Sequence, residues 1–288
     1  MAIKSLHALE KASENKDIFE VVLDSDCTDR GVSREASLEK MHALYAAIRR
    51  AREGYDPALH SASGMVGGDG AKMREYVQKG KTICGDYIGQ VMAQALEMGE
   101  SNACMKCIVA APTAGSCGVL PAVLLPYQAR EGLDDDAMVR AMYIAGAIGQ
   151  VVAAKASIAG AAGGCQAEIG TASAMGAAAL CYLGGGSAQA VCHAAAIAIK
   201  SMLGLVCDPI AGLVEVPCVK RNAAGAMIAM SSADMALAGI RSAVPPDEVI
   251  LAMREVGDKM DVSLKETGVG GLAGTPFGQK IAEKMGVL

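Results

Sequence analysis

Tryptophan is absent from this sequence, and phenylalanine occurs only twice. Aromatic residues make up 3% of the chain and hydrophobic residues 52%, so the apolar bulk rests on Ala, Val, Ile, Leu and Met. Side chains this small let backbones pack closely. Basic runs are also missing: the net charge is −5 and the pI about 5.5. That balance argues against a nucleic-acid partner. The opening residues, MAIKSLHALEKASENKD, contain no apolar run of secretory type. The longest apolar run, Ala141 to Ala154, has 14 residues including Gln150. A bilayer needs roughly 20, so this run reads as a buried helix and no membrane partner is expected. A nucleophile elbow of the form G-x-S-x-G is lacking; AGSCG has its serine at the wrong spacing. The compact CxxCxxC of ferredoxins is lacking too.

What is present is helical periodicity, interrupted by glycine. Ser33 caps a run in which Leu38, Met41, Leu44, Tyr45 and Ile48 recur at helical spacing, with Arg49, Arg50 and Arg52 closing it. Helices are expected at 71–79, 87–98, from Leu120 onward, from Asp134 to about Ser157, 166–183, Ser187 to about Leu203, 224–240 and 247–260. A short helix is expected near the C-terminus. Ser5 to Cys27 reads as helical with a break near Asn15, although IFEVVLDSD also fits a strand. Cys107–Ala111 reads as a short extended run. No strand–helix alternation, repeat or linker is visible. The reading is therefore an all-α fold: a single largely helical catalytic domain over 1–288, with 1–30 a peripheral N-terminal segment.

Ten cysteines without a secretion signal fit a reducing, cytoplasmic setting, where thiols bind metals, do chemistry or pack. CMKC (Cys104 to Cys107) lacks a second pair, so packing is its default reading. Cys181 and Cys192 lie in Ala-rich helical runs and read as core. Cys165, Cys207 and Cys218 each have glycine or proline within two residues, which place a backbone in a turn. Their spacing leaves open both shared ligation and separate structural thiols. GGGSA (184–188) fits a phosphate loop, as a pyridoxal-phosphate enzyme would need, or a helix–helix turn. No lysine has the flanking pattern for a Schiff base. Of the four histidines only His60 abuts a special loop, HSASGMVGGDG, which makes it the local candidate base. Ser61, Ser63, Gly67 and Gly68 in that loop, with Thr113, Gly115 and Ser116 in APTAGSCG, are candidates for binding an anionic or amine group; so is Lys155. Turns that only let helices pack explain the same glycines.

SGMVGGDG, APTAGSCGVLPAV, ASIAGAAGGCQAEIG, LGLVCDPIAGLVEVPCVKRN and ETGVGGLAGT occur in that order over roughly residues 30 to 280. In these pieces the chain resembles the alpha subunit of the iron–sulfur-dependent L-serine dehydratases. The resemblance implies a [4Fe–4S] cluster on Cys165, Cys207 and Cys218, one iron free of protein ligands, and L-serine as substrate. It also implies a separate beta subunit carrying the serine-binding domain and the main catalytic base. The alternatives are another 3-hydroxy or 3-thiol amino acid as substrate, or a non-catalytic amino-acid-binding subunit.

Overall fold

The computed structural model describes residues 3–287. Among these residues, thirteen α-helices follow one another in chain order. Among the described residues there is no strand, and a single isolated bridge pairs Cys207 with Lys265. The all-α reading therefore holds.

The N-terminal stretch forms two helices, α1 (Leu6–Ala12) and α2 (Ile18–Arg30), split at the expected break. IFEVVLDSD is helical, not extended. Asp17 caps it by accepting the Phe19 N–H, and Gly31 ends it in the left-handed region at φ 63°. Its apolar residues Ile18, Phe19, Val22 and Leu23 form one buried stripe. Leu6, Leu9, Phe19 and Leu23 join the main core. Helix α3 (Arg34–Glu53) is capped by Ser33. Helices α4 (Asp69–Gln78) and α5 (Asp86–Ala103) follow the Gly-rich loop.

The core is built around α9 (Thr171–Leu183), which packs against α7 (Asp135–Lys155), α10 (Ala188–Ser201), α11 (Cys218–Leu237) and α6 (Val119–Glu131). Every residue of α9 from Thr171 to Cys181 is buried, and most are Ala, Ser or Gly. Gly176 shows why: a Cβ there would lie 3.2 Å from the Ala229 Cβ of α11 and 3.3 Å from Val123 Cγ2 of α6. Helix α7 has 21 residues and by length and composition alone could cross a membrane; two thirds of its apolar window (67%) is buried within the protein. The flanking Asp135–Arg140 and Lys155 lengthen it beyond the apolar run seen in the sequence.

GGGSA is a helix–helix turn. Gly184 ends α9, Gly185 adopts φ 81°, and the Ser187 hydroxyl accepts the Ala190 N–H to start α10. The remaining helices are α8 (Gly160–Gly163), α12 (Pro246–Lys259) and α13 (Pro276–Lys284). A π-helical turn, Gln166–Gly170, leads into α9. Helix α11 begins at Cys218, six residues before the expected Ala224, with Pro217 at its N-cap position. Cys107–Ala111 has no strand partner and is irregular.

Candidate functional site

The three singled-out cysteines come from three different local structures. Cys165 immediately precedes the π-helical turn, after Gly164 at φ 75°. A Cβ at Gly164 would lie 2.6 Å from Met260 Cε and 2.9 Å from the Leu205 carbonyl, so only glycine lets the chain pass. Cys207 is held by backbone bonds to the C-terminal loop: its N–H donates to Leu264 O (2.8 Å) and its carbonyl accepts from Glu266 N (2.7 Å). Cys218 is the first residue of α11. Two of the three thiols thus sit at helical N-terminal ends, where the partial positive charge favours a thiolate.

All three are buried. Burial is the main cause that raises each thiol, with Cys165 pushed up to about 11 and Cys218 to about 12. Cys207 is raised further, by burial and then by Cys165, Glu168, Glu266 and Cys218 around it. The cysteines therefore lie close enough to oppose each other's ionisation. Among the described residues no group of three or more His, Cys, Asp or Glu side chains is spaced to chelate a single metal ion. A four-iron cube makes a different demand, since its corner irons hold thiolates well apart. Three buried thiols, two of them beside a guanidinium, are the kind of donor such a cluster takes.

The guanidinium is that of Arg221. It pairs with Asp208 at 2.8 Å, donates to the Val206 carbonyl at 2.8 Å and reaches Cys165. Asp208 in turn accepts the Leu272 N–H at 2.9 Å. Gly271 packs on that carboxylate so tightly that a Cβ would lie 2.5 Å from Oδ2. The ETGVGGLAGT segment thereby clamps the Cys207 loop.

Helix α11 presents Cys218, Arg221, Asn222 and Gly225 at i, i+3, i+4 and i+7, on one face. Asn222 is 1% exposed and ties the APTAGSCG loop to this helix. Its Oδ1 accepts the Gly118 N–H at 2.8 Å, and its Nδ2 donates to Gly115 O (2.8 Å) and Cys218 O (2.9 Å). Ser116 in that loop is wholly buried and serves local backbone bonds. Thr113 is half-buried, and its hydroxyl reaches Glu168. Glu168 lies in the π-helical turn, 3.9 Å from Cys207 Sγ. Burial is the main cause that raises its pKa; the Thr113 hydroxyl opposes this and Glu266 adds to it.

The other candidates are arranged differently. Ser61 and Ser63 are buried and both donate to Glu215 Oε2, Ser61 at 2.6 Å. They also accept the Val66 and Met65 N–H groups, so their hydroxyls are already committed. Gly67 packs under the ring of His60, and Gly68 at φ 77° opens α4. His60 is exposed, with Nδ1 3.2 Å from the Ala58 carbonyl. Lys155 pairs with Asp247 at 3.6 Å, and that carboxylate also accepts the Leu6 and His7 N–H groups. No hydrogen bond or ion pair joins either residue to the cysteines. Cys104 and Cys107 are free thiols at the end of α5 and beyond it.

The family described as "Serine dehydratase alpha chain" matches residues 13–273. The chain belongs to that family. Similar members include the probable L-serine dehydratase alpha chain of Bacillus subtilis, 49% identical over 245 residues, which cover 85% of this chain and 80% of that protein. The L-serine dehydratase alpha chain of Peptoniphilus asaccharolyticus is 44% identical over 272 residues, covering 88% of this chain and 93% of that one. L-serine dehydratase 1 of Escherichia coli is 46% identical over 183 residues, 62% of this chain but only 40% of that longer protein.

Within this family member, the sequence reading overlooked Glu168, Glu215, Glu266 and Asn222 as parts of the site. Glu168 carried a signal: between Lys155 and Lys200 it is the sole Asp, Glu, Lys or Arg. One charge in such an apolar stretch is costly to bury without purpose.

Proposed function

We propose that this chain is the cluster-bearing alpha subunit of an L-serine ammonia-lyase, releasing pyruvate and ammonia from L-serine. The observation that carries the proposal is similarity along nearly the whole chain to proteins named L-serine dehydratase alpha chain. Three buried thiols, two of them (Cys165 and Cys218) beside Arg221, support the cofactor. Cys165, Cys207 and Cys218 would hold a [4Fe–4S] cluster, whose iron without a protein ligand supplies a Lewis acid for the departing β-hydroxyl.

The chain's own groups do the rest of its share. Arg221 offsets thiolate charge beside Cys165, and Asp208 keeps it there. Asn222 fixes the APTAGSCG loop over the start of α11, so Thr113 and Gly115 border the thiols through Glu168. Removal of the α-proton is assigned to a beta subunit, because His60 is exposed and unconnected to this cluster of groups. The name alpha chain carried by its relatives supports a partner beta chain. Ten free cysteines suit a reducing, cytoplasmic compartment.

The test is anaerobic co-purification with the beta subunit, followed by iron, sulfide and pyruvate assays. A brown protein releasing pyruvate from L-serine is expected. A colourless, iron-free protein after anaerobic handling overturns the cofactor, and absence of pyruvate overturns the reaction. In the same complex His60→Ala should keep kcat within about twofold.

A further inference from the structure

Gln166 is a buried amide between the Cys165 turn, the Cys207 loop and α12. It directly follows Cys165 and is 1% exposed. Its backbone N–H donates to the Leu205 carbonyl at 2.9 Å. Its side-chain Oε1 accepts the Gly204 N–H at 2.9 Å, and its Nε2 donates to the Met253 carbonyl at 2.9 Å. Two of these bonds reach the segment that leads into Cys207. The third reaches α12, at a residue 87 positions away.

The surroundings of Cys165 and Cys207 are otherwise apolar: Val119, Ile169, Ala172 and Met202 pack with them. Apolar contacts are non-directional and do not fix an orientation. A hydrogen bond does, because it weakens steeply as its angle closes. On the α12 side a Cβ on Gly257 would lie 3.0 Å from Gly163 Cα and 3.3 Å from Gln166 Nε2, so glycine lets that helix come close. An open cavity of about 450 Å³ borders the same seam. The Gln166 amide crosses the seam with a directional bond. Burying an amide is costly unless it is bonded, so glutamine is placed here for its bonds.

The other side of Cys207 closes a ring. Cys207 bonds through its backbone to Leu264 and Glu266, and Met260, just past α12, packs on Gly164. Gln166, α12, the 260–266 segment and the Cys207 loop thus surround the two cysteines.

We infer that Gln166 is a positioning residue: it sets the Cys165 turn against the Cys207 loop before any cluster is present, so that these two thiols are preorganised as ligands. This rests on the proposed cofactor. Ligands already held in place take up a metal group without the cost of ordering two separate loops.

The test strips the cluster and rebuilds it anaerobically, with ferrous iron and sulfide, in the complex with the beta subunit. Wild type is compared with Gln166→Met, which keeps the size and loses both side-chain bonds, and with Gln166→Glu, which keeps an acceptor for the Gly204 N–H. Gln94→Met is the control, since Gln94 is also buried, at 2% exposed, and accepts from Arg52 instead. The readouts are assembly rate, iron per chain, the electron paramagnetic resonance spectrum of the reduced cluster, and amide hydrogen exchange. Gln166→Met should slow assembly at least fivefold, alter the spectrum and quicken exchange at 204–207 while α9 stays protected. Gln166→Glu should fall between it and wild type, and Gln94→Met should match wild type. Unchanged assembly and spectrum in Gln166→Met, or equal slowing in Gln94→Met, overturns the positioning role and leaves the cofactor standing. Should Gln166→Met fail to fold, Gln166→Glu decides: a rate and spectrum equal to wild type overturn the role. A wild-type complex that takes up no iron and sulfide overturns the cofactor, and the positioning role with it.

Discussion

Arg221 and Asp208 form an ion pair at 2.8 Å, with side chains only 17% and 5% exposed. Removing one partner of a buried pair strands the other charge, which costs about 3–5 kcal/mol. Arg221→Met should therefore lower stability by about that amount in a denaturant titration of the complex, and lower the iron bound per chain. Arg221→Lys keeps the charge but cannot serve Asp208, the Val206 carbonyl and Cys165 together, so it should rescue stability only in part.

Asn222 makes three hydrogen bonds while 1% exposed. Asn222→Ala leaves the Gly118 N–H and the Gly115 carbonyl without those partners. Each buried unmet group costs about 1–3 kcal/mol, so the net loss should reach at least about 2 kcal/mol. Hydrogen exchange should quicken in the 111–118 loop before it quickens in α9.

Gly225 and Gly146 predict opposite outcomes for the same substitution. A Cβ on Gly225 would lie 2.7 Å from Ile169 Cγ2, 3.0 Å from Ser173 Oγ and 3.1 Å from Val119 Cγ2. Overpacking costs about 1–3 kcal/mol against a helix-propensity gain of about 1, so Gly225→Ala should destabilise. A Cβ on Gly146, within α7, meets nothing within 4 Å. Gly146→Ala should stabilise by up to about 1 kcal/mol. Paired thermal melts of the two variants check the contrast.

His193 gives a signed pH dependence. Burial is the main cause holding its pKa below the ordinary 6.5, and its Nδ1 accepts the Ser242 N–H at 3.1 Å. As pH falls, the unfolded chain takes this proton first. Its contribution to stability is thus present above 6.5 and lost as pH falls through the lower folded-state value. Denaturation midpoints between neutral and mildly acidic pH should fall less steeply in His193→Gln than in wild type.

Caps and periodicity made much of the fold legible. Ser33, Asp134 and Ser187 each start a helix where their spacing predicts it. IFEVVLDSD read as helix with a strand as the alternative, because so short a run fits both periods; the Asp17 cap and the buried stripe Ile18, Phe19, Val22 and Leu23 bear out the helix. The start of α11 was hidden because Pro217 and Cys218 look like loop punctuation, although proline commonly precedes a first turn.

The candidate site divides along the same line. Cysteines flanked by glycine and proline, and a lone Glu168 in an apolar stretch, are written in the chain itself. Their neighbourhood is not. Cys165 and Cys218 come from separate helical starts, and Cys207 from a loop clamped by residues 264–272. Local periodicity reports which face of a helix is apolar, so the sequence by itself determined an all-helical chain with small-residue contacts. That Arg221 of α11 braces the Cys207 loop through Asp208 and the Val206 carbonyl, and that Ser61 and Ser63 spend their hydroxyls on Glu215, depend on contacts between residues up to 154 positions apart. No local rule encodes those distances; only the packing of α9 and α11 around the cysteine turns decides them.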